Sequence, residues 1–350
     1  MKIDVTDMHT AGEPVRIVTG GYPELMGSTI IDKKNYASRH YDALRRALML
    51  EPRGHAEMFG MIPVKPTTDG AAIGALYIHT TGYSTMSGHG LIAFCRWALE
   101  TGQVPLKEPV TTFGVELPCG VIEVTCHISN GKVISTSFDS VPAFLSHRDQ
   151  SVLVPSLGDV KIDIAYGGAY YAILSASSIN LSFEHTPVEE LVRVTTEIND
   201  SARRSVAINH PDEPDFGYLF GTILTDDATA QQDSFHLCIF AGRQIDRSPT
   251  GGGVIARMAR DHARGLIATG ETRAFYGPTP IPFEAEILRQ DIWHGQPTVT
   301  VRVSGSASFV GQSSFIIDPS DSLTYGFNLP DTYAGLRSDM ERQPPSAAQA

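Results

Sequence analysis

Two segments about 160 residues apart decide the fold. The first is Thr85-Met86-Ser87-Gly88-His89-Gly90, running into Leu91-Ile92-Ala93-Phe94-Cys95-Arg96-Trp97-Ala98-Leu99. The second is Asp246-Arg247-Ser248-Pro249-Thr250-Gly251-Gly252-Gly253, running into Val254-Ile255-Ala256-Arg257-Met258-Ala259-Arg260. Each sets a hydroxyl residue, Ser87 or Thr250, before a glycine-rich turn and an apolar helical pattern. Glycine lets backbone approach a ligand closely. The helix behind it offers free N–H groups and a positive dipole end to an anion. Two such ends facing each other grip a small carboxylate from both sides through the N–H groups of Gly88, His89, Gly251 and Gly252, with one hydroxyl on each face.

Outward from these segments, short β-rich runs dominate. They include Arg16–Thr19, Gly74–His79, Val121–Thr125, Val133–Phe138, His236–Phe240, Thr298–Val303 and Ser314–Ile317, with turn residues between them. Helical patterns are fewer: Tyr36 to Leu50, Leu91 to Thr101, Pro187 to Val206 and Gly253 to Arg264. The pattern predicts an α+β protein in which each glycine-rich helix is the centre of a curved sheet. A boundary is expected near 140–155, around Ser140-Val141-Pro142 and the polar stretch Ser146–Ser151, so that the two motifs fall in different lobes. The expected lobes are 1–145 plus about 320–340, carrying Ser87, and 146–319, carrying Thr250. The tail 341–350 is expected to be disordered.

Composition narrows the function classes. A chain of 350 residues with 42% hydrophobic and 19% charged residues is a cored globular protein. A formal charge of −12 argues against nucleic acid and anionic membranes as partners. No apolar run reaches 18 residues, and Met1-Lys2-Ile3-Asp4-Val5 reads as a strand rather than a signal peptide, so a cytoplasmic location is expected. Cys95, Cys119, Cys126 and Cys238 form no Cys-x-x-Cys pair. The histidines form neither a His-x-x-x-His nor a His-Glu-x-x-His pattern, so no metal site is expected. Pro249–Gly253 lacks the Lys-Ser/Thr of a phosphate loop, and Thr85 occupies the first glycine position of a hydrolase elbow.

Further segments join the two motifs: Asp7-Met8-His9-Thr10-Ala11-Gly12-Glu13-Pro14, Glu51-Pro52-Arg53-Gly54-His55, Tyr166-Gly167-Gly168-Ala169-Tyr170-Tyr171-Ala172, Phe240-Ala241-Gly242-Arg243-Gln244-Ile245, Gly305-Ser306-Ala307 and Asp318-Pro319. In this order, over nearly the whole length, the chain resembles the proline racemase family. That family includes proline racemases, 4-hydroxyproline 2-epimerases and trans-3-hydroxy-L-proline dehydratases. The resemblance implies the two-lobed fold of proline racemase and diaminopimelate epimerase, with the active site in the cleft between pseudo-symmetric lobes. It also implies a small cyclic imino acid as substrate, no cofactor, and a homodimer. Asp246 is then the residue that binds the ring nitrogen, a role suited to a carboxylate facing a secondary ammonium. His89 then lines the pocket.

Racemases and epimerases of the family carry a cysteine at each motif. One removes the Cα proton, and the other returns a proton on the opposite face. Ser87 and Thr250 depart from that pattern. A thiol titrates near ~8.5 and can be tuned into a base; an alcohol is far less acidic. Thr250 followed by Gly251-Gly252-Gly253-Val254 resembles the dehydratases. In trans-3-hydroxy-L-proline the Cα hydrogen and the 3-hydroxyl share a ring face, so loss of water is a syn elimination that one face can manage. Ser87 is expected on the working face, with His89 the nearest group to activate it. Thr250 is expected on the passive face. The alternatives are a 4-hydroxyproline 2-epimerase that works with two hydroxyls and a non-catalytic imino-acid binder. His9, Thr10, Glu13 and His55 belong to the resemblance, either at the site or as buried structural groups. Tyr170 and Tyr171 belong either to the cleft wall or to sheet packing; Phe59 and Met58 are assigned to the core.

Overall fold

A computed structural model describes residues 1–212, 217–226, 233–240 and 243–329. The expected tail, 341–350, and Ala241-Gly242 lie outside the described residues.

The first half starts with an antiparallel pair, β1 (Lys2–Thr10) and β2 (Glu13–Gly20). Two helices follow, α1 (Ile30–His40) and α2 (Asp42–Met49). Strand β3 (Phe59–Val64) then runs parallel to β2 and antiparallel to β4 (Ala71–His79). The short β5 (Gly82–Ser84) folds back on β4 and leads into helix α3 (Gly88–Glu100). Strand β6 (Val110–Leu117) lies parallel to β4, and β7 (Gly120–Ser129) and β8 (Lys132–Asp139) extend it as a meander.

The second half repeats this order. Antiparallel β9 (Phe144–Val154), β10 (Gly158–Tyr166) and β11 (Tyr170–Ser175) lead to helix α4 (Val188–Ser205). Strand β12 (Leu219–Thr225) runs parallel to β11 and antiparallel to β13 (Ser234–Phe240). The short β14 (Gln244–Ile245) folds back on β13 and leads into helix α5 (Gly251–Ala263). Strand β15 (Thr272–Tyr276) lies parallel to β13, and β16 (Phe283–Trp293) and β17 (Gln296–Gly305) complete the meander.

The halves are stitched together twice. Antiparallel β8 and β17 pair with each other, which makes one continuous sheet. The last of the described strands, β18 (Ala307–Ile316), returns to pair with β1 as β9 pairs with β10. The return to the first half thus comes at Ala307, ahead of the 320 expected from sequence. Composition carries no signal of it, because β17 and β18 are consecutive strands divided only at Ser306. The polar stretch Ser146–Ser151 is likewise part of β9 rather than a linker. The single helix expected over Tyr36–Leu50 is two helices that meet at Tyr41, whose backbone leaves helical geometry. The first of these starts earlier, at a capping box made by Thr29 and Asp32.

Helix α3 is buried on all sides except Arg96 and Glu100, as a helix inside a curved sheet must be. Its Leu91, Phe94 and Cys95 share one apolar core with Val254, Ile255 and Met258 of α5. Separate cores form under α1 and α2 and under α4. The two central helices are therefore fixed to each other by a common core, with their N-termini directed at one place.

Candidate active site

Ser87 is the extended N-cap of α3, and its Oγ accepts a long hydrogen bond from the Gly90 N–H at 3.4 Å. The same Oγ lies 3.0 Å from Nδ1 of His89. The His89 ring stands edge-on to Phe59, with centroids 4.8 Å apart. Burial drives its pKa down to about 3, so the imidazole is neutral at pH 7. Its Nε2 is buried with no hydrogen-bond partner among the described residues. Two bonds hold this turn from behind: Tyr77 donates to the Ser87 carbonyl at 3.1 Å, and Thr10 donates to the His89 carbonyl at 2.8 Å.

Thr250 caps α5 in an unusual conformation, with φ at +57°. A β-branched residue rarely adopts positive φ. Its hydroxyl donates to Asp246 Oδ2 at 2.7 Å. Asp246 Oδ1 accepts from both the N–H (2.8 Å) and the hydroxyl (2.7 Å) of Ser248, whose oxygen in turn accepts from the Thr250 N–H at 3.1 Å. Behind this loop lies Glu13, fully buried at the turn between β1 and β2. Glu13 Oε2 accepts from the Arg247 N–H at 2.7 Å, and Oε1 has no partner among the described residues. Burial, then the charge of Asp246, push Glu13 up to about 9. Burial raises Asp246 as well, while its three hydrogen bonds favour its charged form. Of the pair, Glu13 therefore holds the proton and Asp246 the charge. The Arg247 guanidinium pairs with Glu57 at 2.6 Å.

The two helix ends meet nose to nose. A Cβ built on Gly88 would lie 3.2 Å from the Gly251 Cα, and one on Gly251 would lie 3.2 Å from the Gly88 Cα. Gly167, in the turn between β10 and β11, passes so close to α5 that a Cβ there would sit 2.2 Å from the Gly252 carbonyl. Around this contact is a cleft of about 110 Å³. Ser87, Gly88, His89, Asp246, Thr250, Gly251 and Gly252 all line it, so the residues expected from the two motifs are brought together. Its apolar wall is Phe59, Met86, Tyr171, Phe220 and Phe240.

One expectation changes, and the open alternatives resolve. Phe59 belongs to the cleft, not to the core. Tyr170 faces the α4 core and donates to the Asn209 carbonyl, because neighbours on a strand point to opposite faces and Tyr171 takes the cleft side. His9 and His55 line a separate hollow with Asp7 and Arg16. Met86, Tyr218, Phe220 and Phe240 also line the cleft, and their residue types alone do not mark them as cleft residues. Strand alternation in β12 and β13 is the only signal that could have pointed to the two phenylalanines.

Chemically, the cleft offers N–H groups from two opposed helix ends for a carboxylate. It offers one buried negative charge at Asp246 for a cation, and two hydroxyls with different partners.

Comparison with known proteins finds similarity over nearly the whole chain. A family model described as proline racemase matches residues 5–328. A protein of Xenopus tropicalis named trans-L-3-hydroxyproline dehydratase is 42% identical over 93% of this chain and 95% of its own. One of Burkholderia multivorans named 3-hydroxyproline 2-epimerase is 38% identical over 93% and 97%. Among solved structures, a probable proline racemase of Agrobacterium radiobacter with bound carbonate is 26% identical. It superposes with a TM-score of 0.86 over 96% of this chain and 99% of that one.

Proposed function

The chain belongs to the proline racemase family, and on that premise we propose that it is a hydro-lyase that converts trans-3-hydroxy-L-proline to Δ1-pyrroline-2-carboxylate without a cofactor. The N–H groups of Gly88, His89, Gly251 and Gly252 hold the substrate carboxylate and stabilise charge as Cα loses its proton. Asp246 pairs with the ring ammonium. Ser87 passes its hydroxyl proton to Nδ1 of neutral His89 as it takes the Cα proton. The Cα–H electron pair forms the Cα–Cβ double bond, and the C3–O bond breaks on the same face. The proton returns to the departing hydroxyl, which leaves as water, so Ser87 and His89 end as they began. The enamine then tautomerises to the imine.

One observation carries this reading: the two hydroxyls differ in partner. Ser87 touches an uncharged imidazole, a proton acceptor. Thr250 has committed its proton to a carboxylate. With Asp246 engaged by Ser248, Thr250 and the ring ammonium, only the Ser87–His89 face keeps a free proton acceptor, which suits elimination and not epimerisation. The test is incubation with trans-3-hydroxy-L-proline in deuterated water. An imine that reacts with 2-aminobenzaldehyde is the expected product. The relative named 3-hydroxyproline 2-epimerase motivates the second reading, epimerisation. Its signature in the same experiment, with 3- or 4-hydroxyproline, is a diastereomer carrying deuterium at Cα, and finding it in place of the imine would overturn the dehydratase. Tight binding with no turnover of any hydroxyproline would point to a binder instead.

A further inference from the structure

Thr250 sits in a conformation that its own side chain disfavours, and such strain persists only where the surroundings over-determine it. The surroundings here are a buried polar chain that no step of the reaction uses. His236, on β13, places Nε2 2.7 Å from the carbonyl oxygen of Pro249, the residue just before Thr250. Its Nδ1 lies 3.2 Å from Nη1 of Arg257, one of the α5 residues behind Thr250. Both side chains are almost wholly buried, His236 at 3% and Arg257 at 2% exposure. The Arg257 guanidinium also lies 5.0 Å from the centre of the Phe275 ring.

This arrangement fixes the tautomer. A guanidinium only donates hydrogen bonds, so Nδ1 must accept. Nε2 therefore bears the hydrogen and donates to Pro249. A second proton on the ring would face Arg257 in a buried site. Burial first, and the Arg257 charge second, hold the pKa down at about 3. The ring is thus a one-way strut: Arg257 to His236 to the Pro249 carbonyl.

We propose that His236, oriented by Arg257, is a positioning residue that clamps the Pro249 carbonyl and so holds Thr250 and the Gly251–Gly252 N–H groups in the geometry that receives substrate. The inference rests on the cleft being the active site, whichever reaction it runs.

The test is a double-mutant cycle between His236 and the strained position. His236→Phe removes both hydrogen bonds at similar size. Thr250→Gly puts at that position the residue that adopts positive φ freely. Both single variants and the pair are measured for kcat and KM with trans-3-hydroxy-L-proline and for the rise in Tm that this compound induces. With Thr250 present, His236→Phe is expected to lower kcat/KM at least about tenfold, equivalent to about 1.4 kcal/mol. With glycine at 250, the same change is expected to cost much less. His236→Gln, which keeps a donor near the place of Nε2, is expected to recover part of the loss. An equal loss in both backgrounds would overturn the clamp. Should His236→Phe fail to fold, His236→Gln against the shorter His236→Asn makes the same comparison, and equal activity of those two would overturn it. A wild type that binds the compound but does not turn it over would refute the assigned reaction alone, and the cycle is then read from the Tm shifts.

Discussion

At the scale of single residues, the asymmetry between Ser87 and Thr250 gives opposite expectations. Ser87→Ala should lower kcat by about 10²–10⁴, the usual worth of a positioned acid–base group, while the protein still gains Tm from substrate. Thr250→Ala should keep most of the turnover. Its abolition in a folded variant would refute the passive face. Glu13 makes a prediction of stability. In the folded protein it keeps its proton up to about pH 9, whereas an unfolded chain loses it near 4.5. The folded state binds the extra proton between those values, so this group's contribution is fully present below 4.5 and is lost as pH rises through about 9. Glu13→Gln cannot titrate there. Its Tm relative to wild type should climb between pH 5 and 9, and a constant gap would count against the assignment of the proton to Glu13. The motif residues could be read from sequence because Ser, Thr, Asp and Gly in a fixed order have chemistry of their own. Phe59 and Tyr170 could not, because an aromatic side chain looks the same in a core and in a cleft wall until the face of its strand is known.

At the scale of elements, the decisive feature is the abutment of α3 and α5. Gly88→Ala and Gly251→Ala each put a methyl group 3.2 Å from the opposing glycine. Moving packed groups apart costs about 1–3 kcal/mol, so binding should weaken roughly ten- to hundredfold. Titration with substrate, read as KM or as ligand-induced stabilisation, decides it. Gly167→Ala, meeting backbone at 2.2 Å, should be harsher and cost fold stability as well. Both central helices could be read from their apolar runs and glycine entries. The break at Tyr41 could not. The apolar pattern continues across it, and the break itself is a change of direction at a single backbone position.

At the scale of the whole molecule, the repeated order of elements in the two halves was foreshadowed by the paired motifs, but the exchange of end strands was not. Pairing between residues 2–10 and 307–316 leaves no local pattern to find. Because a ligand held between α3 and α5 touches both halves, substrate at about 100 times its Kd should stabilise the fold by about 2.7 kcal/mol, in a single unfolding transition. Two transitions, with only one moved by ligand, would contradict a cleft built from both halves. The exchange also bears on synthesis. Strand β1 leaves the ribosome long before β18, and one of its two edges stays bare until β18, some 300 residues later, has emerged. A nascent chain halted after β17 holds every side chain of the cleft yet leaves that flank open, so its first lobe matures last although it is translated first.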